Sequence, residues 1–80
     1  MFHLYEFEIF EDEGWYLAFP FDWEGGTQGE DLRDVSEMAY DWLRMTCEDC
    51  AIYDKPFPEP TYGNLPRHGG QVVLIGVEVG

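Results

Sequence analysis

Positive charge is what this sequence has least of. Four Lys and Arg stand against seventeen Asp and Glu, giving a net charge of −13 and a pI near 4.1. A protein that grips nucleic acid neutralises about six to ten phosphates. Arg33, Arg44, Lys55 and Arg67 are too few and too scattered for that, so direct nucleic-acid binding by this chain alone is not expected. Cysteine is nearly absent as well. Cys47 and Cys50 cannot build the bridge framework of a small secreted domain, and no basic-then-apolar leader precedes them, so they read as thiols. No apolar run approaches the ~18 residues of a membrane span. The expectation is a soluble, cytoplasmic protein that does not enter membranes.

What the chain does have is aromatic mass. Three Trp, five Tyr and six Phe each bury roughly 150–250 Å², which supplies a core for one domain covering residues 1–80. A chain this short buries only about 60% of its unfolded surface, so each large side chain counts.

In chain order, Tyr5, Phe7 and Ile9 alternate with Glu6 and Glu8, a period of two that predicts a half-buried strand from His3 to Ile9. Glu11-Asp12-Glu13-Gly14 supplies a turn. Trp15 to Phe19 is nearly all apolar, as in a central hairpin strand, and Pro20 ends it. Phe21 to Gly26 reads as loop and Thr27-Gln28 as a short strand. Asp31 then has the character of an N-cap, with Asp34 in the place of a capping-box acid. Leu32, Val35, Ala39, Trp42, Leu43 and Thr46, widened by Met38 and Met45, form one face of a helix to about Cys50. The proline-bearing stretch 51–70 is long for a connection in a compact domain. It either orders against the body through Phe57, Tyr62 and Leu65 or moves. Gln71 to Val79 is the strongest strand signal.

The predicted order is β-β-β-α-β: an α+β domain, a four-stranded sheet with one helix on one face. The crossover rule makes the last strand parallel to its neighbour. The other sheet face is expected to stay open, which argues for a partner or for self-association.

The candidate chemical sites are sparse. Cys47-Glu-Asp-Cys50 has zinc-ligand spacing, but only His3 and His68 could complete a set, neither at motif spacing. Glu48 and Asp49 would raise rather than lower a thiol pKa. Glu6 and Glu8 share one strand face, and alternation points that face at solvent. His68 reads as a loop histidine beside a glycine turn. Neither glycine pair, Gly25-Gly26 or Gly69-Gly70, is followed by Gly-Lys-Ser/Thr, so neither is a phosphate loop. No Ser-His-Asp pattern is present. The chain is read as non-enzymatic, with no catalytic residue, metal or cofactor.

Gly14-Trp15-Tyr16-Leu17-Ala18-Phe19-Pro20, followed by Gly25-Gly26-Thr27-Gln28-Gly29-Glu30-Asp31-Leu32, resembles the HicB antitoxin family. Pro56-Phe57-Pro58-Glu59-Pro60 falls where that family carries a proline segment after its helix, and VVLIGVEV is similar to its last strand. The resemblance spans nearly the whole chain. It departs at Phe21 to Glu24, at Arg33-Asp34-Val35, at the cysteine pair and in the length of the 53–70 connection. No DNA-binding module follows within the eighty residues, so operator binding is not carried over.

The resemblance implies a partial RNase H-like (HicB-like) fold without catalytic carboxylates. It also implies a type II toxin-antitoxin role: binding and masking a small basic HicA-type toxin that cleaves mRNA. Asp22, Trp23, Glu24 and Glu30 are the expected partner-binding residues, with Trp23 as apolar anchor or, equally, as a residue closing the edge of the core. Self-association into a dimer or higher oligomer is expected too. The alternatives are an orphan dimeric scaffold or regulatory domain without a toxin and, behind it, a metal-dependent nuclease remnant.

Overall fold

β1, Phe2–Asp12, is the strand on which the rest is assembled. A computed structural model describes all eighty residues, and in it β1 is followed by β2 (Trp15–Pro20), β3 (Thr27–Gly29), α1 (Leu32–Ile52) and β4 (Gln71–Glu78). The sheet order is β3-β2-β1-β4 with every neighbouring pair antiparallel. β1 and β2 are joined at Glu13-Gly14, where both residues have positive φ (51° and 83°). Such a two-residue turn matches the twist of the strands it joins.

Asp31 caps α1 in an extended conformation. Its Oδ1 accepts the Asp34 N–H at 2.7 Å, and Asp34 Oδ2 accepts the Glu30 N–H at 2.9 Å. The buried stripe is Val35, Ala39, Leu43, Cys47 and Cys50. Steps of four residues advance that stripe around the helix, toward the cysteines and away from Met38 and Met45. Those two, with Leu32, are exposed, and both cysteines take core positions. The stripe packs on Tyr5, Phe7 and Ile9 of β1, Ala18 of β2, and Val77 and Val79.

β4 corrects the expectation of a parallel last strand. It is antiparallel to β1, running from Gln71 opposite Ile9 to Glu78 opposite Phe2. The reason is the 53–70 segment. It leaves the helix near the His3 end of β1, where Phe57 stacks on His3 at 4.2 Å. It then returns along the sheet to the Ile9 end, where a Cβ on Gly70 would overlap the Ile9 carbonyl. The helix carries the chain one way and this strap carries it back, so the single-crossing geometry behind the parallel rule does not apply.

The strap also corrects the open-face expectation. β2 pairs only with Phe7–Asp12, so the β2-side edge of Phe2–Glu6 is bare of strand. The strap passes there: Tyr5 Oη donates to the Pro58 carbonyl on the helix side, and Tyr62 Oη donates to the Leu4 carbonyl. It then lies across the outer face over Glu6 and Glu8.

Candidate functional site

Two places gather polar groups: the carboxylates under the strap, and the loop from Phe21 to Asp31. Glu6 and Glu8 are not the solvated pair that alternation predicts. They are 8% and 2% exposed, because the segment above them turns its backbone N–H groups down onto them.

Glu8 accepts the N–H of Arg67 (2.9 Å), His68 (2.8 Å) and Gly70 (3.0 Å), with the His68 ring Nδ1 at 3.1 Å. Those donors fill the lone-pair directions of both its oxygens. Burial pushes the Glu8 pKa up, but the three backbone N–H groups and the His68 ring outweigh it and hold the carboxyl at about 2. Glu6 accepts the Asn64 N–H (2.9 Å), the Gly63 N–H (3.0 Å) and Asn64 Nδ2 (2.8 Å). The Asn64 and Gly63 N–H groups lower its pKa against a smaller upward push from burial. A carboxylate held this acidic is a poor general base near neutral pH, and one with its lone pairs occupied has little to offer a metal. The pair's chemistry is to anchor a strap. His68 is part of that anchor, its ring stacked on Phe10 at 4.4 Å.

In the loop, the structure separates the four expected partner-binding residues. Asp22 is engaged with the strap, accepting the Thr61 N–H at 3.0 Å and the Thr61 hydroxyl at 2.7 Å. Trp23 packs against the core, edge-on to Tyr5, Trp42 and Phe57. Its indole N–H is enclosed with no acceptor among the protein atoms. Glu24 and Glu30 are exposed. Asp22 and Trp23 therefore set the loop in place, while Glu24 and Glu30 present charge.

Every basic side chain is engaged within the chain. Arg33 pairs with Glu37 and Arg44 with Glu48, Arg67 lies over the Phe21 ring at 5.2 Å, and Lys55 over Tyr53 at 5.8 Å. The Cys47 thiol is pushed up to about 11, first by burial and then by Cys50, so it stays protonated and packs as a small apolar group. Three or more His, Cys, Asp or Glu nowhere converge on a point that could hold a metal ion, and no helix is long and apolar enough to cross a membrane.

Sequence reasoning missed the Glu6–Glu8 cradle. Its signal lay in the even positions of β1, where Leu4 and Phe10 flank the two acids. A face meant for water would not alternate acids with large apolar groups. The fold and these two places together define a small, strongly acidic α+β domain. Comparison with protein-family models, curated proteins and solved structures returned no match.

Proposed function

We propose that this chain is a protein-interaction domain that holds a basic partner by charge, as a HicB-like antitoxin holds and masks a small basic HicA-type mRNA-cleaving toxin. The observation that carries the reading is the asymmetry of its charges. The four cations are taken up within the chain, while Glu24, Glu30 and most of the other acids project into solvent without a counter-charge. Such a surface attracts a basic protein and opposes nucleic acid. The β-β-β-α-β order supports the HicB-like part of the reading, as do the motifs from Gly14 to Leu32 that bear the resemblance. In a partial RNase H-like arrangement the strap is an addition, and it occupies Glu6 and Glu8, the only paired carboxylates on the sheet. That is why the nuclease-remnant alternative is not taken further.

One observation favours the second reading, a dimeric scaffold without a toxin: the bare edge of β4. The two readings part on the product of the neighbouring reading frame. Expressed alone, a short basic product there is expected to arrest growth, and co-expression of this chain is expected to restore it. E24K and E30K together should weaken that rescue while leaving the melting temperature unchanged, since both positions are exposed. Toxicity without rescue would overturn the antitoxin reading.

A further inference from the structure

β4 pairs with β1 on one side and with nothing on the other. Residue parity fixes which of its groups are free. Met1 and Val79 exchange both backbone hydrogen bonds, so the odd residues Val73, Ile75 and Val77 also turn their N–H and C=O toward β1. By the alternation of an antiparallel ladder, the N–H and C=O of Val72, Leu74, Gly76 and Glu78 point away from the sheet. Four donors and four acceptors thus lie along one open edge.

Edge strands in monomeric proteins are ordinarily blunted by lysine, proline, a bulge or short length. β4 has none of these. It spans eight residues in unbroken register with β1. In a chain with seventeen acids it carries one charge, Glu78, at its end. Apolar side chains border the free edge on both faces. Leu74 is 56% exposed on the outer face, and Val73 and Ile75 are only half-buried on the helix face.

We propose that this edge docks a second copy of the chain, the two β4 strands pairing antiparallel about a two-fold axis at Leu74. Two four-stranded sheets then become one continuous sheet with both helices on the same face. Free residues must meet free residues, so even positions face even positions, and of those registers the two-fold at Leu74 sets the strand's most exposed apolar side chain against its own copy. Leu74 lies opposite Leu74 of the second copy, and Val72 opposite its Gly76. A Cβ on Gly76 would overlap the Phe2 ring, so glycine there lets Phe2 lie across the strand. Phe2 is 62% exposed in the single chain, and Val72 of the second copy would cover it.

The occupant is a copy rather than a basic protein because the edge is self-complementary and almost uncharged. A cationic partner is drawn to acids, which lie elsewhere on the surface. In this register the two Glu78 residues stand about 27 Å apart, at roughly 3.4 Å per residue, beyond a Debye length of about 10 Å. The remaining acids of each copy repel those of the other, so self-pairing strengthens with added salt, opposite to an electrostatic complex with a basic partner. The inference concerns the chain alone and stands whichever reading of its function holds.

Sedimentation velocity on the purified chain tests it, from low to high micromolar concentration and in low and high salt. The expected result is a dimer whose fraction rises with concentration and with salt. L74E, which sets two like charges face to face at an exposed position, should sediment as a monomer with an unchanged circular dichroism spectrum. L74C should form a covalent dimer under mild oxidation. Opposed Cα atoms in a hydrogen-bonded pair are about 5.5 Å apart, within disulfide range. The native cysteines are buried and do not compete. L65C, exposed on the strap, should not cross-link. A monomer under all conditions, a dimer that survives L74E, or L65C cross-linking as readily as L74C would overturn the proposal. Should L74E lose its fold, the two cysteine variants decide.

Discussion

A carboxylate placed on a sheet and covered by chain loses several kcal/mol of hydration unless donors replace the water. Glu8 has a full set, three backbone N–H groups and the His68 ring. Hydrogen bonds to a charged group contribute about 1.5–3 kcal/mol each, and no neutral side chain of the same length can accept all four. Glu8→Gln presents an amide N–H₂ to donors that need an acceptor. The expected loss in a urea or thermal melt is about 2–4 kcal/mol. The same site sets a pH dependence. Its folded pKa, about 2, lies below the ordinary 4.5. The stabilisation is therefore fully present above about pH 4.5 and is lost as pH falls through 2. Glu6, shifted in the same direction, adds to the loss. The melting temperature of the wild type should fall across that window, and Glu8→Gln should flatten the fall.

The strap, at the scale of elements, is the feature that makes this fold more than a hairpin and a helix. It has few apolar anchors of its own. Phe57 packs inward, whereas Leu65 is 80% exposed. Order comes instead from N–H groups landing on acids, and from Asp22 at Thr61. Amides in a solvent-facing loop ordinarily exchange fast. Those of Gly63, Asn64, Arg67, His68 and Gly70 are expected to be protected to nearly the level of the sheet, and Glu8→Gln should release those of 67–70 first. Uniformly fast exchange along 61–70 in the wild type would contradict the anchoring role.

The elements themselves were legible in the sequence. The period of two in Tyr5-Phe7-Ile9, the Asp31 cap and the β-branched run at the C-terminus gave all five with ends shifted by a few residues. The strap was not, because its partners are backbone N–H groups, which every residue carries. Nothing in the letters Gly63, Asn64 and Arg67 to Gly70 says where those groups point. The direction of β4 was missed for the same reason, since it depends on where the strap returns. Of the expected partner-binding residues, the letters could not divide Asp22 and Trp23, which hold the loop, from Glu24 and Glu30, which are open to solvent.

For the whole molecule, a charge of −13 on eighty residues is a self-repulsion that the compact state must overcome. Four cations offset only four of the seventeen acids, so most of that repulsion stays uncompensated at the surface. A partner that supplies positive charge relieves it, and the gain depends on ionic strength, because exposed charges are screened beyond about 10 Å in 0.1 M salt. The most direct measurement is the affinity of this chain for a short basic protein encoded by a neighbouring reading frame, the partner the proposal requires, titrated calorimetrically from about 50 mM to about 500 mM salt. Affinity that falls at least about tenfold across that range, and falls less steeply for E24K with E30K, is the result expected of charge-driven masking. Absence of binding at low salt, or an affinity that does not change with salt, would contradict it.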